Sequence, residues 1–352
     1  MEPPIETIRL LLGVASRWRS FTLLNSDSLQ VLSQELASGI LHFDNLQHID
    51  IQGRKDAELL WTFRHAPRLE TVEFDGFIRP QMLDIDWSTV HQIYSVLEIS
   101  DCWTIVCKAS SLKRLRFEML RLINRPAGTQ PIYCLAHLTQ VDLSCDEGGI
   151  AGTFDLFFGQ VTLPALRSLT VETCSENGQW LPSLTKMFLR SRSPLEKLSI
   201  NSAGYPPENE ILSLLRELPG LQYFILRTNI YENPRFIFSD ILAQFLTLPR
   251  QRESVEHLIH QRLPSLKSFS YIGNIEFKTD TFISMLRSRI EPSLYQPQNT
   301  LQVLESIQIT YHNKSWAQEQ DPNVMQRFYV DLAGFGASGT KVDFVWERHR
   351  RD

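Results

Sequence analysis

Cysteine is scarce in this chain, with five among 352 residues. The count is odd and no two stand in C-x-x-C spacing, which excludes a disulfide framework and a zinc knuckle as organising devices. No stretch approaches the roughly 20 consecutive apolar residues that a membrane-spanning helix needs. The opening Met1-Glu2-Pro3-Pro4 lacks the basic start and apolar run of a secretory signal. Positive charge is not in excess: 35 Lys and Arg stand against 40 Asp and Glu, for a net charge of -5. A mildly acidic chain carries no electrostatic footprint for phosphate backbones or anionic lipid. Neither a G-x-S-x-G nucleophile elbow nor a P-loop occurs. Together these absences predict a chain of the cytoplasm or nucleus that is not an enzyme. They leave no catalytic residue, metal or cofactor to assign, and no nucleic-acid or membrane partner.

Apolar material is plentiful, at 43% of residues, and it is ordered in a repeat. The pattern is apolar, two variable residues, apolar, one variable, apolar. It stands at 18–23, 46–51, 69–74, 112–117, 138–143, 166–171, 195–200, 221–226, 266–271 and 304–309, with a degenerate copy at 90–93. The eight steps from Trp18 to Leu221 average about 25 residues, inside the period of leucine-rich repeats. Pro67, Pro164, Pro194, Pro219 and Pro264 stand one or two residues ahead of five copies. Proline ends a helix and feeds the chain into extended backbone. Ahead of the prolines lie helical patterns such as Leu59, Leu60 and Phe63; Leu184, Phe188 and Leu189; and Ile211, Leu214, Leu215 and Leu218. Each unit therefore reads strand, turn, helix, turn. Such units stack into an α/β leucine-rich-repeat solenoid, with a curved parallel sheet on the concave side and helices on the convex side. Cys174, Asn229 and Asn274 follow their motifs at the position where a side chain caps the outward turn of such a repeat.

The organisation expected is an N-terminal capping helix over 1–17, ten to eleven irregular repeats over 18–329, and a C-terminal cap and tail over 330–352. The enlarged segment 228–262 reads as one degenerate repeat whose strand is not recognisable. The other reading is an excursion that shapes a binding site. Gly334-Phe-Gly336-Ala-Ser-Gly339 spells G-x-G-x-x-G, but an alternating strand pattern follows it where a dinucleotide site needs a helix. A glycine-rich turn into a C-terminal capping strand is expected instead. His257 and His260, beside Glu253 and Glu256, read as a solvated helix face because no further ligand stands near.

The segment Leu10-Leu-Leu-Gly-Val-Ala-Ser-Arg-Trp-Arg-Ser-Phe-Thr-Leu23 and the loose P-x-L-x-x-L repeats resemble the F-box/leucine-rich-repeat proteins of mushroom-forming fungi. That resemblance implies a substrate-recognition part of an ubiquitin-ligase subunit, with a target protein as partner. The F-box is absent, since too few residues separate Pro3-Pro4-Ile-Glu-Thr-Ile8 from the first strand to hold one. Contact with a Skp-type adaptor and a cullin is therefore expected only where an F-box lies upstream. The alternative is a stand-alone scaffold or inhibitor unconnected with ubiquitin.

Strand side chains alternate sides, so the variable motif positions face into the concave surface. Candidate contact residues are Asp50, Glu73, Asp75, Arg114 and Arg116, then Tyr223, Ile225, Arg227 and Ile272. The last four offer the aromatic, aliphatic and arginine groups that carry most interface energy. The early acids are expected to steer a partner rather than hold it.

Overall fold

A computed structural model describes residues 5–24, 29–38, 41–52, 61–75, 78–119, 131–145, 152–173, 180–202, 207–228, 237–249, 262–291, 302–312, 316, 320–337 and 339–346. The chain is α/β and divides into two compact units, Met1–Thr153 with Gln160–Ala165, and Phe154–Gly159 with Leu166–Asp352.

The first unit holds β1 (Ser20–Leu24), β2 (His48–Gln52), β3 (Trp61–Thr62), β4 (Thr71–Phe74), β5 (Leu83–Asp84), β6 (Gln92–Leu97), β7 (Arg114–Met119), β8 (Tyr133–Cys134), β9 (Gln140–Cys145) and β10 (Val161–Thr162). Six of them form one parallel ladder in the order β1-β2-β4-β6-β7-β9. The others pair in twos, β3 with β5 and β8 with β10. Its helices are α1 (Ile5–Leu12), α2 (Leu29–Ser38) and α3 (Ile99–Lys108). The register sets Ile49, Val72, Ile93, Leu115 and Val141 in line, all buried. The next inward row runs Ile51, Phe74, Ser95, Phe117, Leu143. Ser95 stands where every neighbour in its row is apolar, and its buried hydroxyl has no hydrogen-bond partner among the described residues. That substitution is why the motif at 90–93 is degenerate, yet the strand forms all the same.

The second unit begins with residues 154–159 of α4 (Thr153–Gln160) and continues with β11 (Ser168–Thr173), α5 (Leu181–Ser191), β12 (Lys197–Ser202), α6 (Glu208–Arg216) and β13 (Tyr223–Thr228). After these come β14 (Ile237–Phe238), α7 (Asp240–Leu246), β15 (Ser268–Ile275), α8 (Thr279–Ile290), β16 (Ser306–Tyr311), α9 (Pro322–Ala337) and β17 (Lys341–Trp346). Its ladder is β11-β12-β13-β15-β16-β17, again all parallel. Leu169, Leu198, Phe224, Phe269 and Ile307 form one buried row, and Val171, Ile200, Leu226, Tyr271 and Ile309 the next. All eleven motifs thus lie on ladder strands, and the twelfth strand is the one expected after the glycine run.

Four expectations need correction. First, β13 pairs directly with β15, Tyr223 opposite Ser268, so no ladder strand comes from the enlarged segment. That segment instead adds the two-residue β14 beside Asn274 and Ile275, and then α7. The physical reason is packing. Phe238 enters the core against Phe269, Tyr271, Phe277 and Phe282, while Leu242, Ala243 and Leu246 bury one face of α7. Second, Gly334 and Gly336 lie inside α9, where Met325, Phe328, Leu332 and Phe335 hold the helix to the core. Only Gly339 takes a positive φ, of 95°. Third, α9 starts at Pro322, so the boundary expected at 330 falls inside a helix. Fourth, Phe63 follows strand β3 rather than sitting in a helix, and residues 53–60 lie outside the described residues. Cys174, Asn229, the histidine pair and the tail beyond Trp346 also lie outside them. Asn274 is buried, and its carbonyl accepts a 2.6 Å bond from the Tyr271 hydroxyl.

Candidate functional site

From β2 to β13 the ladder strands bury their inward residues and leave the alternate set at the surface, whereas β17 has no buried residue. In the first unit the pattern on β2 is half-buried His48, buried Ile49, half-buried Asp50, buried Ile51, and β4 repeats it. The register then carries one outward row across five strands: Asp50, Glu73, Tyr94, Arg116, Asp142. Neighbouring strands stand about 4.8 Å apart, so these side chains are immediate neighbours. Behind them, Asp75, Val96 and Glu118 lie two residues further along β4, β6 and β7 and their flanks.

This face forms a cleft of about 330 Å³ lined by Asp50, Gln52, Glu73, Asp75, Tyr94, Val96, Arg116 and Glu118, with Phe74 and Ser95 completing its wall. Four of the expected residues, Asp50, Glu73, Asp75 and Arg116, meet in it. Arg114 is on the same strand and exposed, but does not line it. Tyr94 is among the lining residues that sequence reasoning missed. It follows Ile93 in the degenerate copy, and extending the two-residue alternation one step would have placed it outward beside Glu73. Its hydroxyl donates to Gln92 Oε1 at 3.3 Å. Asp142 accepts from the Gln140 amide at 2.9 Å. Among the described residues Asp50, Glu73, Arg116 and Glu118 take part in no ion pair. Asp50 opposite Glu73 is a like-charge neighbour pair, an arrangement that costs stability on a sheet.

The second unit presents a different face. Tyr223 is 40% exposed, Arg227 is exposed, and Ile225 and Ile272 are half-buried. Arg227 and Ile272 are direct register partners, so the four expected residues come together. Small side chains surround them: Ser199 is level with Ile225 on one side and Ser270 on the other.

Among the described residues no three His, Cys, Asp or Glu side chains gather as a metal site. Cys102, Cys107 and Cys134 are free thiols, and burial pushes the Cys102 thiol well above its ordinary value. No described helix is long and apolar enough to cross a membrane. No family model matches the sequence, and no curated protein does.

Proposed function

We propose that this chain is a leucine-rich-repeat solenoid that binds a target protein on its open sheet face, in the manner of the substrate-recognition part of an F-box ubiquitin-ligase subunit. The reading gives the chain no catalytic role, and needs no metal, cofactor, nucleic acid or membrane. The observation that carries it is the cleft of the first unit. It lies on the sheet face where the variable positions of the repeats converge, which is where a repeat protein can change its specificity without touching its core. Four carboxylates stand against one guanidinium there, so the partner segment that fits the cleft is cationic. Tyr94 supplies an aromatic face on which a lysine or arginine side chain can rest. Contact with a Skp-type adaptor and a cullin is proposed only for a chain that carries an F-box ahead of these repeats.

The test is affinity purification of the full chain from native cells. The recovered target is then titrated against the parent, an Asp50/Glu73/Asp75→Lys variant and a Tyr223/Ile225/Arg227→Ala variant. Loss of affinity in either variant, with melting unchanged, supports the face. Unchanged affinity in both overturns it. Return of Skp-type and cullin subunits with the bait supports the ligase role. A target recovered without them points to the stand-alone scaffold or inhibitor.

A further inference from the structure

On the second unit the outward residues of β12, β13 and β15 fall into three levels. Lys197, Tyr223 and Ser268 share the first, Ser199, Ile225 and Ser270 the second, and Asn201, Arg227 and Ile272 the third. Lys197 and Arg227 are both exposed, and among the described residues neither has an ion-pair partner. Glu172, the acid nearest in register, accepts from the Asn201 amide at 2.9 Å. On the far side Ser268 bonds Ser306 at 2.7 Å and Ser270 bonds Gln308 at 3.4 Å, so those polar groups are already engaged. What remains open is an apolar floor of Ile225 and Ile272, walled by Tyr223 and small serines, with one free cation at each end. Four residue steps separate the two levels of cations, or about 13 Å along the strands.

We propose that this patch binds an extended acidic–apolar–acidic segment of the target, with carboxylates four residues apart and one bulky apolar side chain midway. This rests on the reading of the open sheet face as the contact surface, and it names the chemistry of the partner there. An extended segment rises by the same increment per residue as the strands beneath it. Carboxylates at its first and fifth positions therefore meet Lys197 and Arg227, while the bulky third residue lies over Ile225 and reaches toward Ile272 one level along. Neither cation has to break an existing pair to bind.

The probe is a fluorescein-labelled heptapeptide, Gly-Glu-Gly-Phe-Gly-Glu-Gly, titrated into the full chain by fluorescence anisotropy. Saturable binding is expected, weakening about tenfold or more when Phe becomes Ser or when both Glu become Lys. The Lys197→Glu/Arg227→Glu variant should lose the acidic peptide and gain the lysine peptide. Should that variant melt early, Arg227→Gln, which keeps the side chain's reach, carries the test with a loss of about fivefold. No saturable binding, or equal binding of the acidic and lysine peptides by the parent, overturns the proposal. A dimer that sedimentation finds in the parent and not in the reversal variant overturns it too, assigning the patch to a second copy. Peptide failure alongside a target whose affinity still falls in the Tyr223/Ile225/Arg227→Ala variant sinks this inference and leaves the face reading intact.

Discussion

Arg289 shows how a residue that no sequence pattern marks can hold a fold together. It is fully buried on α8, and its guanidinium donates to the carbonyls of Leu246 and Leu263, both at 2.6 Å, and of Arg262. Among the described residues it has no carboxylate partner. Burial pulls its pKa down to about 9, which still leaves it charged at neutral pH. The three carbonyls satisfy a cation that would otherwise be prohibitive to bury. Arg289→Met should therefore strand those carbonyls, at about 1–3 kcal/mol for each one left without a partner, and denaturant unfolding would read the loss. Gly273 is constrained for a different reason. A Cβ there would fall 2.9 Å from Tyr271 Cζ and closer still to the Tyr271 and Thr228 hydroxyls. Gly273→Ala should destabilise by about 1–3 kcal/mol, while Gly334→Ala, with open space around it inside α9, should be neutral or stabilising. Equal melting of all three proteins would mean the crowding at β15 is relieved at no cost.

At the scale of elements, the helices depend on partners distant in sequence. The first turn of α7 is capped twice: by Ser239, whose hydroxyl accepts from Ile241 N at 3.0 Å, and by Glu208 of α6, which accepts from Leu242 N at 3.2 Å and from the Ser239 hydroxyl. Replacing Glu208 with Ala should cost about 0.5–2 kcal/mol, in the range of a lost helix cap, with the loss of helical ellipticity confined to this region. Strand cores should respond as neighbours do. Leu198 is fully buried between Leu169 and Phe224 in register, so Leu198→Ala should cost about 2–5 kcal/mol. Because each strand touches mainly the next, amides of β11 and β13 should exchange faster than those of β16. Uniform acceleration across the second unit would show that it opens as a whole. The elements themselves were largely legible. Apolar alternation preceded by a proline marks a strand wherever the inward side is apolar at both positions, as Leu169 and Val171 are. Where Ser95 replaces the second apolar residue the mark fades, and with it went Tyr94.

For the whole molecule, the two units carry outward faces of different character, one acidic with a cleft and one apolar with free cations. Reversing Asp50, Glu73 and Asp75 should slow association with a cationic partner and flatten its salt dependence, because exposed charges act chiefly on encounter. Stopped-flow association rates at several ionic strengths read this directly, and unchanged rates would remove the cleft from the binding reaction.

The sequence by itself determined which segments become ladder strands and which side of each faces the core. Both follow from a two-residue alternation that a chain reads locally, and the repeat period told how often that happens. It also placed the nine candidate contact residues on the outward side of the regular strands, but not Tyr94. Only the tertiary structure decided which strands are neighbours across the enlarged segment, since Phe238 finds its place only once Phe269, Tyr271 and Phe277 are assembled around it. It alone decided that Asp50, Glu73, Asp75 and Arg116 share a cleft with Tyr94 and Glu118. Register between parallel strands is set by the packing of the core beneath them, and no local pattern in the chain encodes that packing.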